Sequence, residues 1–322
     1  MAQTPGTVLV LAGGLSHERD VSLKSGRRVS QALRETGHHV LEADVTADLL
    51  QLIADADAPV VFPVLHGGAG EDGALREVLD LLGVPYVGSS GPASRLAFDK
   101  AVSTELVARA GLRVPPHYAL PLDMFRELGA ANLVELLASR LGFPMMVKPA
   151  RSGSALGCTK VTDAAELPAA VVTAFSYGEV AVIEKFIEGV EVAVSVISST
   201  DGEVALPAVE IRPRSGVYDY VSRYTAGETR FLCPAEVDEV TAAACAEMAL
   251  TAHRVLGLRD LSRTDMIVAD GEPVFLEVNV APGMTETSTL PLAIEASEED
   301  FAAVCGRLVA LARQRGAAQA AR

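Results

Sequence analysis

From Thr7 to Ala12 the chain is continuously apolar rather than alternating, the pattern of a short strand buried on both faces. Gly13-Gly14 breaks the run. Beyond it Val21, Val29 and Leu33 recur at helical spacing, with Ser16 placed to cap that helix and Gly37 to end it. His39 to Ala43 and Pro59 to Leu65 predict two further strands, followed by a helix from about Asp72 to Leu82 that Gly83 closes. Strands alternating with helices imply a parallel sheet, with ligands gathered at the carboxyl ends of its strands. Two Gly-rich loops, LAGGLSHE and LHGGAGEDG, fall at such ends; neither spells GxGxxG, so a dinucleotide site is weakly supported.

A second unit begins near Ser89, with one helix expected from Pro92 to Ala110, a strand at His117 to Leu120 and a helix near Ala130 to Arg140. FPMMVKPARSGSALGCTKV then reads as strand, Gly/Ser loop, strand, and after a helix from about Asp163 to Phe175 the strand Val180 to Ile187 follows. From about Glu191 a third unit opens on a hairpin turning at Ser199 to Gly202. A polar segment from Arg212 to Arg230, a helix from about Glu236 to Leu256 and a second hairpin ending in LEVNVAPGMT complete it, before a final helix that frays in an Ala/Gln/Arg tail. The boundaries expected are 1–90, 91–190 and 191–322.

Charge narrows the function classes. With 27 Lys+Arg against 42 Asp+Glu the formal net charge is -15, which disfavours nucleic acid and anionic membrane surfaces. No apolar stretch approaches the roughly 20 residues of a membrane span, and the first residues have no basic leader, so a cytoplasmic location is expected. Cys158, Cys233, Cys245 and Cys305 show no metal spacing and read as small hydrophobes.

The strongest chemical signal is SRTDMIVADGEPVFLEVN. Residues two apart on a strand share a face, so Glu277 and Asn279 point together, and the Asp270-Gly271 turn returns them beside Asp265. Three hard oxygen donors suit a magnesium ion bridging nucleotide phosphates, and a solvated acidic hairpin is the plainer alternative. Asp265 opposite Glu277 requires paired residue numbers to sum to 542, whereas a regular two-residue turn gives 541; an odd-length loop or a bulge is therefore expected. Lys148 ends an apolar strand before a Gly/Ser loop and can meet phosphate as a point charge, although no Walker A sequence is present. Glu18 taken alone reads first as a carboxylate capping a helix start, and His66 either as a donor to a substrate or as a brace for its loop. Tyr218, Tyr220 and Tyr224 concentrate half of the chain's 6 tyrosines in one segment, as in a binding lid.

Taken together, LAGGLSHERDVSLKSG, VFPVLHGGAGEDG, AFDKA, VKPARSGSALG, VIEKFIEGVE, YDYVSRYTAG and LEVNVAPGMT resemble, in order, the motifs of D-alanine–D-alanine ligases of the ATP-grasp superfamily. The resemblance runs from about Val8 to Leu292. It implies an α/β fold, with an N-terminal parallel-sheet domain and central and C-terminal α+β domains sandwiching ATP. It also implies a homodimer that ligates two D-alanines through an acyl phosphate, for peptidoglycan and cell-wall synthesis, with two Mg²⁺ or Mn²⁺ ions. By the same resemblance Lys100, Lys148 and Arg223 meet phosphates, and Glu184, Lys185 and Glu191 hold adenine and ribose. Asp265, Glu277 and Asn279 bind metal. Arg263 and the Gly283 N–H stabilise an oxyanion, Glu18, His66 and Ser288 touch the D-alanines, and Glu18, Ser154 and Tyr224 form a triad closing the site.

Half of the departures fall near the acceptor. Arg223 stands where lysine is usual, Ala155 where a second serine is, and Ser152 where an acid is. Glu286, Thr287 and Thr289 replace the more common Ser, His and Leu. A ligase for another acceptor (D-serine, D-lactate or a specialised substrate) is the alternative, with Tyr224 arguing against D-lactate.

Overall fold

The computed structural model describes residues 6–57, 59–218, 222, 223, 225 and 227–320. Its first unit comprises β1 (Thr7–Leu11), α1 (Arg19–Glu35), β2 (His39–Ala43), α2 (Leu49–Asp55), β3 (Val60–Pro63), a 3-10 turn (Gly68–Gly70) and α3 (Ala74–Leu81). The strands form a parallel sheet ordered β2-β1-β3. Its central strand is buried on both sides: Val8 and Val10 enter one core with α1, while Leu9 and Leu11 enter another with Leu49, Ile53 and Leu79. That is why β1 carries no polar alternation.

Two short helices follow, α4 (Gly91–Phe98) and α5 (Lys100–Arg109). The single helix expected from Pro92 to Ala110 is thus broken at Asp99, whose extended backbone stops α4 and whose carboxylate caps α5 by accepting the Val102 N–H at 3.2 Å. Ser16 is not the cap of α1 either. It donates to the His66 carbonyl at 2.5 Å, and Glu18 occupies the N-cap position.

Next come β4 (His117–Pro121), α6 (Leu122–Leu128), α7 (Ala130–Leu141), β5 (Met145–Pro149), β6 (Thr159–Val161), α8 (Leu167–Phe175) and β7 (Val180–Lys185). Their antiparallel sheet has the order β4-β7-β5-β6. The remainder is β8 (Val190–Ser199), β9 (Gly202–Ala205), β10 (Val209–Pro213), β11 (Thr229–Leu232), α9 (Glu239–Val255), β12 (Leu261–Ala269), β13 (Glu272–Asn279), α10 (Thr289–Ala296) and α11 (Phe301–Ala320). Here the antiparallel order is β11-β10-β8-β12-β13, with β9 added to β8. The turn expected at Ser199 to Gly202 is present.

Cores cross the sequence divisions. Ala93, Ala97 and Val107 of α4 and α5 pack with Val192, Val194 and Phe275 of the large sheet, and Val304, Leu308 and Ala312 of α11 pack with Val8 and Val10. Arg315 of α11 pairs with buried Asp260 at 2.5 Å, and Asp260 also accepts the Gly88 N–H at 2.7 Å. All four cysteines are free. No helix among the described residues is long and apolar enough to cross a membrane.

Candidate active site

The β12–β13 hairpin turns regularly, pairing Ala269 with Glu272, so its first pairs sum to 541. Between Asp265 and Met266 the register shifts, and from there Asp265 faces Glu277 and Arg263 faces Asn279, pairs that sum to 542. The expected bulge is the device. Its extra residue, Leu276, lines the same cavity as Glu277, so two successive side chains face one hollow where a flat strand would alternate them.

Two cavities open between the sheets. One of about 670 Å³ is bounded by Met146, Lys148, Glu184, Lys185, Glu191 and Asp265. The other, about 930 Å³, is bounded by Glu18, His66, Ser154, Arg263, Gly283 and Ser288. Among the described residues they share four: Lys100, Tyr218, Arg223 and Glu277. Asn279 lines the larger cavity. The structure therefore divides the sequence-derived residues into two hollows that meet at two cations and a carboxylate. Tyr224 lies outside the described residues.

Charges at the junction are paired and largely desolvated. Lys100, at the start of α5, reaches Glu277 at 3.2 Å and the Ser152 carbonyl at 2.6 Å. Arg263 holds Asp265 through two contacts of 2.6 and 2.7 Å. Lys148 pairs with Glu184 at 2.8 Å, while Lys185 donates to the Phe143 carbonyl at 3.0 Å. Burial alone would raise Glu277, but Lys100, Arg223, Lys148 and Arg263 outweigh it and hold the carboxyl at about 2. Burial likewise opposes the charge on Lys148, yet Glu184 and Glu277 prevail and its ammonium sits above its ordinary range. Glu191 goes the other way. Burial pushes it up to about 8, Arg223 pulls against that, and Asp265 and Glu277 add to it.

Asp265, Glu277 and the Asn279 amide form an all-oxygen donor set on one face of the hairpin. No three His, Cys, Asp or Glu side chains converge among the described residues, and what Asn279 adds to the two carboxylates is an amide oxygen. The set fits a hard, oxygen-preferring dication, and the adjacent arginine and lysine neutralise the acids without one.

On the opposite wall, Ser154 donates to the Glu18 carboxylate. That carboxylate passes close to two glycines: a Cβ on Gly153 would lie 2.7 Å from Glu18 Oε2, and one on Gly67 closer still. Gly67 also adopts φ 69° and ψ 160°, a region open essentially to glycine alone. Ser288 shares a 2.8 Å contact with the Thr285 hydroxyl, and a Cβ on Gly283 would meet Ser288 Oγ at 2.6 Å. Glu71 also lines this cavity and was not singled out by sequence; burial and the neighbouring Glu18 push it up to about 8. Its one signal is an acid directly after a Gly-rich loop. Ser25 was missed as well, being a small polar residue inside an amphipathic helix.

Residues 106–310 match the family described as D-ala D-ala ligase C-terminus, and residues 48–89 the one described as D-ala D-ala ligase N-terminus. A D-alanine–D-alanine ligase of Desulforudis audaxviator is 39% identical over 307 residues, 95% of this chain and 98% of that protein. One of Syntrophobacter fumaroxidans is 40% identical over 309 residues, 95% and 97% of the two chains. Among solved structures, the VanG D-Ala:D-Ser ligase of Enterococcus faecalis superposes with a TM-score of 0.82 at 30% identity, covering 96% of this chain and 99% of that one. A Bacillus anthracis D-alanine–D-alanine ligase complexed with ATP gives 0.80 at 27% identity, with 98% and 99% covered.

Proposed function

This chain belongs to the D-alanine–D-alanine ligase family, and from that premise we propose that it uses ATP to join two D-alanines, the activating and joining steps taking place where the two cavities meet. The observation that carries the reading is that junction: Lys100, Arg223 and Glu277 line both hollows. ATP occupies the smaller cavity and the two amino acids the larger. In the first step a carboxylate oxygen of one D-alanine attacks the γ-phosphorus and the bond to the ADP oxygen breaks, leaving an acyl phosphate. In the second, the neutral amine of the other D-alanine attacks the acyl carbon, phosphate departs, and one proton is released overall.

Each residue then has a task. Lys100, Lys148 and Arg223 neutralise and align the phosphates, which is most of what phosphoryl transfer asks of a protein. Glu184, Lys185 and Glu191 line the adenine and ribose end. Asp265, Glu277 and Asn279 hold magnesium, which supplies charge neutralisation on phosphate oxygens when bound. Arg263 and the Gly283 N–H face the oxygen of the reacting carbonyl. Glu18, with Ser154 and Tyr224, and Ser288 hold the amino acids and close the site against water. Residues 1–90, 91–190 and 191–322 act as the three working units. A homodimer in the cytoplasm completes the reading, supported by the exposed apolar side chains Val78, Leu81 and Leu82 at α3.

One observation favours a second acceptor. The VanG D-Ala:D-Ser ligase superposes over 96% of this chain, and Glu286, Thr287 and Thr289 line the larger cavity, so D-serine is the acceptor to set against D-alanine. A screen of phosphate release over D-amino acids, with products read by mass spectrometry, tests both readings. D-alanine alone should yield D-alanyl-D-alanine, with no phosphate in the absence of amino acid. Turnover that yields no dipeptide from any D-amino acid would refute the assignment, and a mixed D-Ala-D-Ser product in preference would support the second acceptor.

A further inference from the structure

Protein groups engage both ring nitrogens of His66. Nδ1 lies 2.9 Å from the Ala281 carbonyl oxygen, and Nε2 lies 3.1 Å from Ser25 Oγ. The Met284 N–H donates to the same Oγ at 3.1 Å. These contacts determine where each proton sits. A carbonyl only accepts, so Nδ1 carries the ring hydrogen. Burial holds His66 below the ordinary imidazole range, which keeps the ring neutral and Nε2 a bare acceptor. Ser25 therefore donates its hydroxyl hydrogen to Nε2 and accepts the Met284 N–H on its oxygen.

The segment so gripped is short and carries two further bonds. The Ala281 N–H donates to Asn279 Oδ1 at 2.8 Å, and Arg28 reaches the Met284 carbonyl at 3.4 Å. Between those anchors lies Gly283, pressed against Ser288. Ser25 and His66 are both buried, at 0% and 4% exposure, so no water competes for these bonds. Ser25 stands on α1 and His66 on the loop after β3, so the first unit of the chain holds a backbone segment that extends from β13, more than two hundred residues away.

We propose that Ser25 and His66 are positioning residues, a hydrogen-bonded strut from the first unit that sets where the Gly283 N–H stands over the reacting carbonyl. The inference rests on the ligase reading. Neither side chain needs to touch a reacting atom. Ser25 acts through Met284 and His66 through Ala281, on either side of the glycine. Charge gathers on the carbonyl oxygen when the amine attacks, so a displaced N–H slows that step. The acyl phosphate then persists until water attacks its phosphorus and the bond to the carboxylate oxygen breaks, a route that places no charge on the carbonyl oxygen and returns D-alanine and phosphate with the ATP spent.

The measurement is the ratio of phosphate released to dipeptide formed, alongside ATP affinity. Wild type should give one phosphate per dipeptide. Ser25→Ala should lower kcat for dipeptide about tenfold, as expected when a reacting geometry is loosened, and raise the ratio to two or more with the ATP Kd within twofold. His66→Asn keeps a donor near Ala281 but has nothing in the place of Nε2, so its ratio should lie between the two. A ratio of one in both variants overturns the strut, whether kcat is unchanged or falls, and so does a parallel loss of ATP binding. If Ser25→Ala does not fold, His66→Asn decides alone. A wild-type enzyme that makes no dipeptide refutes the ligase reading instead, so the two failures are distinct.

Discussion

Glu277 faces four cationic side chains, and its low proton affinity means that it meets any ligand as an anion. The spacing Glu277-x-Asn279 and the turn before it were enough to place it beside Asp265 from sequence, because alternation on a strand is a local rule. Its partner Lys100 was not legible as a partner, since a 3.2 Å contact across 177 residues depends on how the units dock. The Arg263–Asp265 pair, by contrast, lies two residues apart on one strand, and only its doubled contact needed coordinates. Replacing Glu277 with Gln keeps the shape and removes one anionic donor, so dipeptide formation should fall by at least roughly 100-fold and recover in part at high magnesium. Wild-type turnover at ordinary magnesium would remove Glu277 from the site. A second residue carries a pH signature. His253 is buried at 0% exposure, with Nδ1 2.7 Å from Ser262 Oγ, and burial holds it at about 4. An unfolded histidine takes its proton near 6.5, so the folded state loses ground between those values: the stability is present above about 6.5 and is lost as pH falls through 4. The full span is about 3 kcal/mol at the usual conversion per pKa unit. Urea melts from pH 7.5 to 4.5 should show that slope in wild type and a flatter one in His253→Gln; parallel slopes would contradict it.

At the scale of elements, periodicity located most helices and strands but did not resolve breaks. Apolar residues continue at helical spacing from α4 into α5, and no glycine or proline marks the boundary, so the pair reads as one helix. Asp99 is the signal that was available, a cap-forming residue inside the run. The break matters because it makes Lys100 the first residue of α5 and lets its backbone N–H donate to the Ala150 carbonyl at 2.9 Å beside the Gly/Ser loop. Asp99→Ala should therefore cost ~1 kcal/mol of stability from the lost cap and raise the KM for ATP severalfold. A thermal melt and a KM determination check the two effects; an unchanged KM would mean that Lys100 is placed without the cap. The hairpin was more legible. Its face requirement conflicted with its turn, and a bulge is the cheapest reconciliation, at the cost of unpairing one residue. α2 and α6 escaped notice because they are short, 7 residues each, with too few turns to establish a period.

At the scale of the molecule, the order of motifs along the chain located both walls of the site, but not how they are held together. Helix α11, last in sequence, fills the core behind β1, and α4 and α5 complete the core beneath the large sheet. Such crossings follow from docked shape, which hydrophobic patterning does not encode. They bring Glu18, ahead of α1, to Ser154, between β5 and β6, and His66, after β3, to Ala281, beyond β13, so loops from the three described sheets line one cavity. A site assembled this way suits an intermediate that water would destroy. The reaction turns on a substrate carboxylate being activated by phosphoryl transfer, with an amine then displacing the phosphate, and an isotope settles it. With D-alanine labelled by ¹⁸O in both carboxylate oxygens, the first step joins a labelled oxygen to phosphorus and the second releases it with phosphate. Mass spectrometry of the products should show one ¹⁸O in the inorganic phosphate for each D-alanyl-D-alanine formed; unlabelled phosphate alongside dipeptide would contradict the account.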